Sequence, residues 1–162
     1  MRRVIVNSTP IIVLSNINRL DILKALYGQI IIPQAVFDEV TAKSDSACYQ
    51  IANHSDWIIV EQIINFDQKR MYQTRLHAGE VEVMILAQQN PKADLIILDD
   101  NTAKKTAKFL GLTVTGTLGV LVKAKKDGII KFVAPIIDDL INNGFYITDD
   151  IRRMVLDNAG EF

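Results

Sequence analysis

Four positions carry the side chains best suited to chemistry: Asn7, Glu39, Glu80 and Asp99, with Asp100 beside the last. Asn7 directly follows the apolar run Val4-Ile5-Val6, and Asp99 follows Leu95 to Leu98. Glu39 lies on the segment after Pro33, and Glu80 follows Gly79. Several carboxylates with no Cys or paired His suit a hard divalent cation such as Mg²⁺ or Mn²⁺. Such an ion binds phosphate oxygens, activates water and stabilises an in-line displacement. Lys104, Lys105 and Lys108 follow Asp99, and Lys123, Lys125 and Lys126 come later, so an anionic substrate could be held nearby. The combination points to phosphodiester hydrolysis. Each acid also has a structural explanation: Asp99 or Asp100 as a helix cap, Glu80 as a partner of a helix dipole, Glu39 as a solvated residue, Asn7 as a turn former.

Other chemistries are poorly supported. The sequence has no GxGxxG after a strand, no GxxxxGK[ST] and no GxSxG. The glycines of Thr115-Gly116-Thr117-Leu118-Gly119 read as a tight strand-to-helix turn. His54 and His77 lie outside any HExxH and read as surface or capping residues. Cys48, the single cysteine, reads as a small packing residue and excludes an intrachain disulfide. Trp57 reads as core.

The elements that must position these residues alternate between short apolar runs and helical periodicity, the signature of a parallel α/β sheet. Strands are expected at 4–6, 29–32, 57–60, 95–98 and 112–115. Helices are expected from Thr9, as N-cap, to about Tyr27 with a break near 16–18, then from Pro33, over 44–56 and 66–76, after Gly79 with Val81, Val83, Leu86 and Ala87 on the buried side, and over 101–110, 117–126, 132–143 and 149–158. Gly28 and Gly111 read as helix stops. In such a sheet ligands bind beyond the carboxyl ends of the strands, where Asn7 and Asp99 would converge if their strands are neighbours.

The 162 residues fit one domain, 1–162, whose part after about 117 is a helical extension. With 18 Lys and Arg against 19 Asp and Glu, a globally basic nucleic-acid binder is excluded. A local asymmetry remains, because residues 101–131 hold seven lysines against Asp127 alone. The apolar run after Met1 is too short for a signal peptide, and no stretch approaches a membrane span, so a cytoplasmic, non-membrane protein is expected.

With these stretches in view, the chain resembles PIN-domain proteins, and more closely their VapC-like branch. VIVNSTPIIVLSNINRLDIL (4–23), IIIPQAVFDEV (30–40), HAGEVEVMILA (77–87) and LIILDDNTAKKTAKFLGL (95–112) carry the resemblance. The tail from GTLGVLVKAKKDGII onward is its most branch-specific part. The resemblance implies a three-layer α/β/α sandwich around a small central parallel sheet. It also implies a Mg²⁺- or Mn²⁺-dependent ribonuclease, often a toxin paired with a small antitoxin and commonly a homodimer. The family's acids fall on Asn7, Glu39, Glu80 (with Glu82 as the alternative) and Asp99, with Asp100 beside it. Asp99 and Glu80 would hold metal, Glu39 would orient or activate water, and Asn7 would be a neutral ligand. Ser8, Thr9, Glu82 and Thr117 would support the site, while Lys104, Lys105, Lys108 and Lys123 would bind RNA. Asn7 departs from the family's first Asp and removes one negative charge. Two other readings stand beside this one: a PIN-fold module that binds RNA or a protein without turnover, and, less well matched, a receiver-like domain.

Overall fold

The structure, a computed structural model, describes residues 3–64, 69–70, 76–89 and 94–161. Its centre is a parallel sheet of β1 (Val4–Val6), β2 (Ile30–Pro33), β3 (Ile58–Glu61), β4 (Leu95–Ile97) and β5 (Thr113–Thr115), in the order β3-β2-β1-β4-β5. β1, β2 and β4 are buried at every position, as strands covered on both faces must be. Their Val, Ile and Leu runs suit that environment.

Helices α1 (Ser8–Asn16), α2 (Asp21–Tyr27), α3 (Gln34–Thr41), α4 (Ser46–Asn53), α5 (Ala78–Gln89), α6 (Asn101–Phe109), α7 (Thr117–Lys126), α8 (Ala134–Asn142) and α9 (Asp149–Asn158) flank the sheet. This is the expected three-layer α/β/α arrangement around a small parallel sheet. α3 packs against α5, α1 against α3 and α4, and α7 against α2 and α9. The segment expected to be helical over 66–76 lies largely outside the described residues. No described helix is long and apolar enough to cross a membrane.

Most boundaries match the sequence. Gly28 ends α2 with φ +74°, and Asn18, with φ +56°, marks the break between α1 and α2. Asp45 caps α4 by accepting from the Cys48 N–H, and Asp100 caps α6 by accepting from the Ala103 N–H. Trp57 is in the core, and its Nε1–H donates to His54 Nδ1 at 2.9 Å, which accounts for that histidine structurally. Two boundaries are corrected. Pro33, expected to open α3, instead closes β2 and holds the N-cap position of α3 with extended backbone. The N-cap of the first helix is Asn7, not Thr9, so Pro10 sits in the first turn rather than at its first position. The turn tolerates it because its N–H groups lack intrahelical partners in any case.

The order of the strands decides where the site lies. β1 and β4 are adjacent, with Val4, Ile5 and Val6 in register with Leu95, Ile96 and Ile97. The Asn7 N–H continues the ladder onto the Ile97 carbonyl at 2.9 Å. The chain runs outward from β1 in both directions, so the β1/β4 boundary is the topological switch point, where α/β sheets leave a crevice.

At the far end of the chain, Glu161 ties α7 to the start of α8. Its carboxylate accepts from the Val133 and Ala134 N–H groups at 2.7 and 3.1 Å and from Lys125 Nζ at 3.0 Å. Burial pushes this carboxyl up, but the two N–H donors and the Lys125 ammonium outweigh it and hold Glu161 below its ordinary value of 4.5. Glu161→Ala is expected to lower stability by ~2 kcal/mol in urea unfolding at neutral pH, because charge-assisted bonds are lost. A depressed carboxyl stabilises fully above its unfolded value and loses that contribution as pH falls through its folded value. The gap between Glu161→Ala and the parent chain should therefore close below pH 4.5, the ordinary value.

Candidate functional site

The polar groups beyond the ends of β1 and β4 come from the first turns of α1 and α5, the second half of α3 and the residues that follow β4. Asn7 occupies the N-cap position of α1 with extended backbone, yet its side chain makes no cap bond. It faces α5 instead. A Cβ added at Gly79 would lie 3.3 Å from Asn7 Oδ1, 3.7 Å from Glu39 Oε2 and 3.2 Å from Val36 Cγ2. A side chain at Gly79 would crowd Val36 and Asn7, which would have to give by a few tenths of an ångström, and would meet Glu39 only in ordinary contact. Glu39 is oriented by Ser8, whose Oγ–H donates to Glu39 Oε2.

Glu80 is the most constrained acid of the group and is only 5% exposed. Its Oε1 accepts from the His77 N–H at 3.0 Å, while its Oε2 is buried with no hydrogen-bond partner among the described residues. Burial pushes its carboxyl above the ordinary range; the His77 N–H opposes this, and the charges of Asp100 and Glu39 push it up further. An unpaired carboxylate oxygen in such a place costs stability unless something positive compensates it.

Asp99 closes the other side. Its Oδ1 accepts from the Thr117 N–H at 2.8 Å and its Oδ2 from the Thr117 hydroxyl at 2.7 Å, so it sits on the N-terminus of α7. The helix dipole there favours a carboxylate. Gly116 makes the approach possible, since a Cβ on it would lie 2.8 Å from Asp99 Oδ1 and 2.7 Å from Lys104 Nζ. Asp100 is exposed and spends one oxygen on capping α6, but its charge still reaches Glu80.

The structure thus gathers Asn7, Ser8, Glu39, Glu80 and Asp100 around the switch point, with Asp99 and Thr117 paired at its edge. Other expected site residues lie elsewhere. Glu82 accepts from the Ala35 N–H at 3.0 Å and pairs with Lys69 at 2.6 Å, anchoring the start of α3. Thr9 is solvent-exposed. Lys104 and Lys108 line a groove of about 1000 Å³ that begins at Asp99. Lys105 is exposed and outside that groove, and Lys123 is paired with Asp127 at 3.2 Å. Sequence reasoning did not single out Gly79 as the point of close approach, nor Tyr146 as part of the groove. The only signal for Tyr146 was the alternation of Phe145 and Ile147 around it after Asn143-Gly144.

Among the described residues, no three of His, Cys, Asp and Glu converge closely enough to cage a metal ion. The donors that do gather are oxygens only, and the orphaned Glu80 oxygen among neighbouring acids is the environment a hard cation would relieve. The site therefore fits an oxygen-ligated ion in its chemistry, while its acids are held apart by Ser8, His77 and Thr117.

No curated protein matches the chain. A family model described as PIN domain matches residues 3–161, nearly the whole sequence. With its parallel sheet and its acids at the switch point, the chain belongs to the PIN-domain family.

Proposed function

We propose that the protein is a metal-dependent ribonuclease that hydrolyses RNA phosphodiester bonds at the β1/β4 crevice. The observation that carries this reading is Glu80: a buried carboxylate with one oxygen unpaired among the described residues, in the field of Glu39 and Asp100. The PIN-domain family is generally associated with nucleases, which agrees with it. Glu80, Asp99 and the amide oxygen of Asn7 would hold Mg²⁺ or Mn²⁺, with Asp100 alongside. The bound ion would supply Lewis-acid charge at a phosphate oxygen and an activated water. Glu39, aimed by the Ser8 hydroxyl, would orient that water and accept its proton. Thr117 would fix Asp99, and Lys104 would hold a phosphate next to it. On this reading the chain is a VapC-like, cytoplasmic toxin working as a homodimer and silenced by a small antitoxin.

The test is cleavage of a single-stranded RNA with Mn²⁺. Parent protein should cleave, EDTA should stop it, and Asp99→Asn should reduce the rate by about 100-fold or more, beyond the usual cost of losing a residue that only supports a metal ligand. Cleavage that persists in EDTA and in Asp99→Asn would overturn the assignment. One observation favours a second reading, a PIN fold that binds RNA or a protein without turnover. The neutral Asn7 stands where the family's first acid falls, and no three-ligand cage exists among the described residues. Salt-dependent, EDTA-insensitive RNA binding without cleavage would favour that reading.

A further inference from the structure

The groove that starts at Asp99 runs between α6 and α7 on one side and α9, with the segment before it, on the other. Three lysines, Lys104, Lys108 and Lys126, line it. None of the three forms an ion pair with a described residue, whereas Lys123 and Lys125 on the same helix α7 are paired with Asp127 and Glu161. Among the described residues Asp99 is the single acid in the lining, and both its oxygens accept from Thr117. The lining therefore sets three positive charges against the one negative charge of Asp99, among apolar side chains such as Leu118, Val122, Ile151 and Met154, and suits a chain that offers both phosphates and base faces.

The opposite wall presents an aromatic ring. The Gly144 N–H and the Phe145 N–H close the end of α8 onto the carbonyls of Ile141 and Leu140, at 3.1 and 2.9 Å. Phe145 and Ile147 then pack against the core, and Tyr146 between them is 85% exposed. The irregular connection between α8 and α9 turns Phe145 and Ile147 inward and leaves Tyr146 between them facing out. A large ring held out at the rim of a positive groove, with its backbone pinned on both sides, is a stacking surface whose ordering cost is already met by the fold.

We infer that this groove binds the single-stranded stretch of RNA flanking the bond to be cut, with Tyr146 stacking on a base and Lys108 and Lys126 on its phosphates. The inference rests on the ribonuclease reading for the neighbouring acids, but it concerns binding and can be tested without turnover. Stacking on one ring is tolerant of base identity, so the groove sets affinity and strand placement rather than sequence.

The experiment is fluorescence anisotropy with a labelled oligouridylate in EDTA, which prevents metal-dependent cleavage, across a salt series. The parent chain should bind with a steep salt dependence. Lys108→Glu/Lys126→Glu should weaken binding at least tenfold and flatten the log–log salt slope by about 1.4, the value for two phosphates on a single strand. Tyr146→Ala should weaken binding by roughly 5- to 100-fold with the slope unchanged, and Tyr146→Phe should restore it. Parent-level binding in both the double variant and Tyr146→Ala would overturn the inference, as would absence of binding by the parent. It would equally be overturned if an acidic peptide displaced RNA at lower concentration than RNA itself requires. A chain that sediments as a dimer only while Tyr146 is intact would assign the groove to a second copy instead. RNA binding that responds to the variants, without cleavage in Mn²⁺, would leave the groove standing and remove the ribonuclease reading. Cleavage in Mn²⁺ with unresponsive variants would do the reverse.

Discussion

Glu80→Gln is expected to unfold at a higher temperature than the parent chain in EDTA at neutral pH, and to lose the stabilisation that Mn²⁺ gives the parent. The glutamine keeps an oxygen for the His77 N–H. It replaces the unpaired, buried carboxylate oxygen with a neutral amide that no longer repels Glu39 and Asp100. Each kcal/mol relieved moves the midpoint of a chain this size by about 2–4 °C, so a rise of a few degrees is the scale to look for. The pH dependence has a definite sign. A carboxyl raised in the folded state favours folding fully below its unfolded value and loses that contribution as pH rises through its folded value. The two proteins should therefore melt alike below pH 4.5, the ordinary value for glutamate, and diverge above it. Differential scanning fluorimetry across pH, with and without Mn²⁺, measures both effects. A parent chain as stable as the variant at neutral pH would mean that Glu80 carries no unrelieved charge. Stability given up by a functional carboxylate is the usual trade at an active site.

Asn7→Asp should move everything in the opposite direction. Asn7 is 6% exposed and faces the Gly79 approach beside Glu39. A carboxylate there adds a second poorly compensated charge, so the metal-free protein should melt lower than the parent. The same charge should tighten Mn²⁺ binding by roughly tenfold or more, because cation affinity at oxygen sites follows the number of charged ligands. Isothermal titration with Mn²⁺ measures the second effect directly. Cleavage that appears in Asn7→Asp and is absent from the parent would show that one charge separates a binding module from an enzyme. Equal Mn²⁺ affinity in the two proteins would place Asn7 outside the ion's reach.

The scaffold was legible because its strands are unambiguous. Val4–Val6, Ile30–Ile32 and Leu95–Ile97 are β-branched or aliphatic runs buried on both faces, a pattern that needs no tertiary information. Helix starts were legible where a capping side chain does its usual work, as at Asp45 and Asp100. The start of α1 was misplaced because Asn7 holds the cap position while its side chain serves another neighbour. The acids at the switch point could be named from their places after strands, but the choice between Glu80 and Glu82 could not. Both lie in the first turns of α5, and only the rotation of that helix against α3 leaves one in the field of Glu39 and Asp100 and sends the other toward Ala35 and Lys69. The groove was illegible for a related reason. Its walls come from residues 99–126 and 145–158, and its stacking surface depends on which side of an irregular segment faces out.

The adjacency of β1 and β4 has a kinetic side. β2 and β3 can add to β1 through local crossovers, whereas β4 must return to β1 across most of the chain, pairing Val4 with Leu95. Such non-local closure is the slow kind of event in folding. Asp100 follows β4 in sequence, so its charge reaches Glu80 only as that closure is completed, whereas the packing of α5 on α3 brings Glu80 to Glu39. The repulsion that Asp100 adds therefore belongs to the native side of the folding barrier. It leaves the rate of folding largely untouched and is felt instead as a push on the rate of opening, which a bound cation would slow.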